Sequence, residues 1–203
     1  MFQKQIQEYI SYHNIFYIKE IQNSLGVTSK QRAILNTELA RCEKKGLIKR
    51  IEHGLYAVPI LTCFGEKIPN ESLILSKVYI DDYNGYTTGP TFLNQIGVST
   101  WLSNTYYIKS NNYRKHSSID NYIVSAPRVR ITQDNINYLQ LLDCLEDIIK
   151  YAVDIENPYE IVYKYIQNSK LDMTKLLLLA YKYYKKSTIE QLYGMVEKYY
   201  EIT

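Results

Sequence analysis

The chain has 203 residues, 46 % of them hydrophobic and 22 % charged, which is the composition of an ordinary globular protein long enough for one large domain or two small ones. Its longest apolar run, residues 176–180, is far too short to cross a bilayer, and the N-terminus lacks the apolar centre and cleavage site of a signal peptide, so no membrane association and a cytoplasmic location are expected. The net charge of +3 is uneven: residues 1–60 hold nine Lys/Arg against five acids and the remainder 15 against 16, which points to a polyanion partner for the N-terminal region.

Residues 2–13 read as an amphipathic helix with Phe2, Ile6, Tyr9 and Ile10 on one side. A second short helix spans 17–25 and ends at Gly26. The stretch "VTSKQRAILNTELARCEKKG" reads as a third, with Thr28 as N-cap and Gly46 as its stop. A hairpin over 47–58 follows, "LIKRIEHGLYAV", closed by Pro59. Three helices and a two-stranded ribbon in that order describe a winged helix-turn-helix, in which the last helix enters the major groove and the ribbon reaches the flanking backbone. On a wheel of 3.6 residues per turn, Leu35, Leu39 and Cys42 of the third helix share one face. The opposite face carries Lys30, Ala33, Thr37, Ala40, Arg41 and Lys44, flanked by Ser29 and Asn36. Alanines allow close approach to a groove, Ser29, Asn36 and Thr37 suit base edges, and the cations, with Lys49 and Arg50 of the ribbon, suit phosphates.

Beyond Pro59, Asn70 is expected to cap a helix over "ESLILSKVYIDD", and Thr88-Gly89-Pro90 to start another that Gly97 stops. Strands are expected at 104–110 and 121–127, and Thr132 as the cap of a long helix through residue 152. From Asn157 the chain reads as a helical bundle: Pro158 starts one helix, Asp172 caps the next, "MTKLLLLAYKYY", which is apolar nearly all round and hence expected to be central, and Ser187 caps the last. The fold class is therefore α+β and mainly helical: a winged helix-turn-helix over 1–60, then an α+β domain over 61–203 ending in a helical bundle (157–203).

Signs of catalysis are lacking. HExxH, GxSxG, Walker A and GxGxxG patterns are absent, as is the Gly-Ser turn with spaced aspartates of a nucleotidyltransferase. His13, His53 and His116 are scattered, and His53 at the ribbon tip suits a solvated turn or a phosphate contact. Asp81-Asp82 reads as an exposed helix end, and Asp143, Glu146 and Asp147 as a surface charge network. Cys42, Cys63 and Cys144 form no CxxC pair, so neither a zinc ribbon nor a disulfide framework is supported, and all three are expected to be small buried residues. The 22 tyrosines against four phenylalanines read as genome bias and half-buried packing. No enzyme, catalytic residue, metal site or cofactor is expected.

The segments "GLIKRIEHGLYAVP", "FGEKIPNESLILSKVY", "GYTTGPTFLNQIGVST" and "ITQDNINYLQLLDCL" together resemble the AbiEi-type antitoxins of type IV toxin–antitoxin systems, over residues of roughly 15–150. The resemblance implies a winged helix that binds inverted repeats in the promoter of its own operon and represses it. It also implies an α+β domain that counters a nucleotidyltransferase-fold toxin encoded nearby. By position, Ser29, Lys30, Arg32, Asn36, Thr37, Lys49, Arg50 and His53 would fall on the DNA-binding surface. The region 104–127 departs from the family pattern in lacking a glycine turn between its strands. A symmetric operator would require two recognition helices, hence a dimer or two cooperating monomers. Two other readings fit the residues: a stand-alone winged-helix regulator whose C-terminal region oligomerises or senses a ligand, and a winged-helix adaptor that binds only protein.

Overall fold

The first helix, α1 (Gln3–Tyr12), buries Ile6 and Tyr9, and the chain then extends into a three-residue strand, β1 (Ile15–Tyr17), before α2 (Ile18–Ser24). These elements belong to a computed structural model that describes residues 2–63, 65–67, 69–114 and 120–200; His116 and residues 201–203 lie outside the described residues. The chain divides into two compact units, Met1–Val78 and Tyr79–Thr203. The segment 61–78, which the sequence reading joins to the second domain, groups with the first.

In the first unit, Thr28 precedes a 3-10 turn (Ser29–Gln31) that leads into α3 (Arg32–Lys44). The Gln31 side chain returns to Thr28, its Oε1 accepting from the Thr28 amide at 3.1 Å and hydroxyl at 2.9 Å, so the expected cap stands with one extra turn inserted. Gly46 ends α3 with φ at +73°, a left-handed position that favours glycine. The ribbon is β2 (Lys49–Glu52) and β3 (Leu55–Ala57), and β1 adds to it as a third strand in the order β1-β3-β2, with Phe16 opposite Tyr56. Leu35, Leu39 and Cys42 point inward with Phe2, Ile6, Phe16, Ile21 and Ile48, forming one core. A short hairpin, β4 (Ile60–Thr62) and β5 (Gly65–Lys67), follows, and Cys63 beside its turn is exposed rather than buried. Asn70 caps α4 (Glu71–Leu75), accepting from the Ser72 amide at 3.4 Å. The single helix expected through residue 82 is instead broken into α4, a wide turn (Ser76–Ile80) and a 3-10 turn (Asp81–Tyr83), in which Asp82 and Tyr83 both take positive φ.

The second unit holds a sheet of β6 (Gly85–Thr87), β7 (Tyr106–Ser110) and β8 (Tyr122–Ser125) in that order. Between β6 and β7, α5 (Gly89–Gln95) starts at Thr88 with Pro90 in its first turn, as expected. The pairing of β7 with β8 is parallel, Tyr106 opposite Tyr122 and Ile108 opposite Val124, which accounts for the missing glycine turn: parallel neighbours are joined by a crossover, not a hairpin. The long helix α6 runs over Ile136–Tyr151 and so starts three residues later than the Thr132 cap implied. Asn135 occupies the entry, and its Oδ1 accepts from the Thr132 amide at 2.8 Å.

Three further helices complete the unit: α7 (Pro158–Asn168), α8 (Met173–Tyr183) and α9 (Lys186–Tyr200). Asp172 caps α8 as expected, accepting from the Thr174 and Lys175 amides at 2.8 and 3.2 Å, whereas Ser187 lies inside α9 instead of capping it. Leu139, Leu142, Leu145, Val162, Leu176, Ala180 and Leu192 share the core of this unit. The helix α8 is not central all round. Leu176 and Ala180 are buried, but Leu178 is 64 % and Tyr181 81 % exposed.

Asp143 is not part of a surface network either. It is only 4 % exposed, and its carboxylate accepts from the Tyr86 hydroxyl at 2.7 Å and the Tyr184 hydroxyl at 3.0 Å. The Arg128 guanidinium lies 3.8 Å away, ion-paired in addition to Glu146. Burial raises the Asp143 carboxyl above its ordinary value against the opposing pull of Lys109, the two tyrosine hydrogen bonds and Arg128. Asp81 and Asp82 are exposed, as expected.

Candidate nucleic-acid interface

Burying Leu35, Leu39 and Cys42 fixes the roll of α3, and the rest of that helix surface is then open to solvent. Ser29, Lys30, Arg32, Ala33, Asn36, Thr37, Ala40, Arg41 and Lys44 are all exposed. On the ribbon, Lys49 and Arg50 are exposed on β2, and His53 is exposed in the turn that joins β2 to β3. Every residue expected on the DNA-binding surface is therefore accessible, split between one helix face and the adjoining hairpin.

These side chains are not equally available. Arg41 is paired with Glu38 one turn earlier. Arg50 folds back over the turn, its Nη2 donating to His53 Nδ1 at 2.8 Å and its Nε to the Glu52 carbonyl at 3.3 Å. Arginine has no acceptor, so His53 Nδ1 accepts and the ring proton sits on Nε2, where it can be donated outward. Lys30, Arg32, Lys44 and Lys49 make no ion pair among the described residues. The Thr37 hydroxyl donates to the Ala33 carbonyl at 2.9 Å and is left only to accept, from a base amino group for example. Asn36 makes no side-chain hydrogen bond among the described residues, so both halves of its amide are available. That is the geometry for a bidentate contact to adenine.

Ile34 is a further residue of this surface, outside the set expected from the sequence. It is 52 % exposed and stands on the flank of the same face, beside Glu38 and Arg41. An isoleucine four residues before a glutamate is off the Leu35–Leu39–Cys42 stripe, and that misfit is the signal that could have marked it. An exposed branched side chain there suits a thymine methyl.

Three helices, the third with an open cationic face, and a small sheet whose hairpin projects Lys49, Arg50 and His53 make the first unit a winged helix-turn-helix. Residues 4–59, just over a quarter of the chain, match the family described as "Transcriptional regulator, AbiEi antitoxin". The matched stretch is the helix-and-wing region and contains every candidate residue named above. No curated protein sequence matches the chain. Among solved structures it is similar to the RV2827C protein from Mycobacterium tuberculosis, with a TM-score of 0.49 and 8 % identity over 92 % of this chain and 72 % of that one. Among the described residues no group of three or more His, Cys, Asp or Glu side chains could hold a metal ion, and no helix is long and apolar enough to cross a membrane.

Proposed function

We propose that the protein is a cytoplasmic antitoxin of a type IV toxin–antitoxin system that represses its own operon. Its α3 enters the major groove of inverted repeats in the promoter, and its wing holds the flanking backbone. Two copies read a symmetric site, and the second unit acts against a nucleotidyltransferase-fold toxin encoded beside it. The observation that carries this reading is the open face of α3 next to a basic wing, in the stretch that matches a family of antitoxin regulators. Ser29, Asn36 and Thr37 read bases, with Ile34 beside them. Lys30, Arg32, Arg41, Lys44, Lys49, Arg50 and His53 contact phosphates, and Ala33 permits close approach.

Phosphate contacts position the protein and base contacts specify the site, so the two sets of residues separate in experiment. Replacing Lys49 and Arg50 together by alanine is expected to weaken binding to promoter and unrelated duplexes alike and to flatten the log–log salt dependence by about 2. Asn36→Ala is expected to cost about 1–3 kcal/mol on the promoter only. Fluorescence anisotropy across a salt series measures both. Equal losses on both duplexes from both sets of changes would remove α3 from the groove. Co-expression with the product of the neighbouring reading frame tests neutralisation, with restored growth as the expected result.

A further inference from the structure

The near-neutral charge of the second unit conceals two opposed runs. Residues 134–160 hold seven carboxylates against a single lysine, Lys150. Residues 170–186 hold five lysines against a single carboxylate, Asp172. Within the basic run, Asp172 is spent on capping α8, and Lys175 donates its Nζ to the Asp134 carbonyl at 2.7 Å while lying over the Tyr138 ring. Lys170 lies apart, in the turn between α7 and α8, and the other three cations gather where α8 gives way to α9. Lys182, Lys185 and Lys186 are all exposed. Lys182 and Lys185 make no ion pair among the described residues. Lys186 reaches Glu190 at 3.4 Å, a contact between two largely exposed side chains that contributes little in water. Tyr181 stands out from the same end of α8, 81 % exposed.

Packing does not call for this arrangement, because α8 is anchored by Leu176 and Ala180 on its other side. Three ammonium groups within five residues repel one another, and that repulsion is relieved by a row of anions. Flexible point charges suit a repeating phosphate backbone, and a solvent-facing phenol adds a hydrogen bond to phosphate or sugar. A carboxylate-bearing protein would be met better by the planar fork of arginine, which the cluster lacks. We propose that the α8–α9 turn, through Lys182, Lys185, Lys186 and Tyr181, is a second site for the backbone of duplex DNA, independent of base sequence. It rests on the proposed function only in taking DNA as the polyanion.

The test uses the full chain and a 25-base-pair duplex of unrelated sequence, titrated by anisotropy between 50 and 300 mM salt. The triple change Lys182→Ala, Lys185→Ala and Lys186→Ala is expected to lower the magnitude of the salt slope by about 2–3, and the corresponding triple arginine change to restore it. The same loss is expected on top of the Lys49→Ala, Arg50→Ala change. A slope unchanged by the triple alanine change overturns the proposal while leaving the wing assignment intact. A triple alanine variant that keeps its DNA slope and loses binding to polyglutamate assigns the turn to an acidic protein and also overturns it. Full dependence on the α8–α9 lysines with none on Lys49 and Arg50 leaves this site standing and removes the winged helix from DNA.

Discussion

Gly85→Ala is expected to destabilise the second unit by on the order of 3 kcal/mol, lowering its unfolding midpoint by about 10 °C. The reason is close approach. A β-carbon at Gly85 would stand 2.3 Å from the Tyr79 carbonyl oxygen and 2.6 Å from that of Lys109. Both obstacles are backbone atoms, so no rotamer change clears them. The Tyr79 carbonyl is further held by the buried Ser110 hydroxyl, which donates to it at 2.8 Å, and Lys109 lies in β7 opposite Tyr86. Relief requires β6 to separate from β7 or the turn before it to shift. Trp101, the single tryptophan, packs at 5.0 Å on Tyr151 in the same unit, so its fluorescence follows the transition. Gly97→Ala provides the comparison. Gly97 has φ at +79° and open space around it, so alanine there meets only the conformational penalty of about 1 kcal/mol. Equal destabilisation at the two positions would refute the steric argument.

The two units differ in how far the sequence disclosed them, and the difference has a physical origin. The winged helix is punctuated by local chemistry: Thr28 opens, Gly46 stops, Pro59 closes, and the Leu35–Leu39–Cys42 stripe sets the roll of α3. Those signals are enough to place all eleven candidate residues on open surface before any tertiary contact is known. The strand β1 is not legible in the sequence, because three residues show no alternation and its pairing with β3 is non-local. The same holds for β6, whose role depends on Tyr79 and Lys109 coming against it. In α8, four consecutive leucines cannot say which of them faces out. Neighbouring helices decide that, and they leave Leu178 in solvent. On α6, Ile149 is exposed, while Asp143 turns inward because two tyrosine hydroxyls and an arginine from distant segments meet it there. An aspartate is assigned to the surface by default, since a buried one needs partners that only the fold supplies.

Those partners make Asp143 the second position where one side chain should control stability. Asp143→Ala is expected to cost about 2–4 kcal/mol at neutral pH, because the Tyr86 hydroxyl loses its acceptor in a buried site and the Tyr184 hydroxyl keeps only its longer contact with the Leu139 carbonyl, at 3.2 Å. Asp143→Asn keeps the shape and one acceptor oxygen, so its cost should be well below that of alanine. The pH dependence distinguishes the ionised group from its shape. Burial raises the Asp143 carboxyl above the unfolded value of 3.8, so the native state binds the proton more tightly than the unfolded chain. Its contribution to stability is thus greatest below the ordinary carboxylate range and declines as pH rises through the raised native value. Asp147, raised by burial and in part by the Asp143 charge itself, adds a decline of the same sign that is larger in wild type than in Asp143→Asn. Urea titrations followed by Trp101 fluorescence from pH 4 to pH 7 should therefore show wild type losing stability relative to Asp143→Asn as pH increases. A gap that stays constant would mean that Arg128 and the tyrosine hydroxyls balance desolvation, and one that widens in favour of wild type that they outweigh it and hold the carboxylate in its charged form.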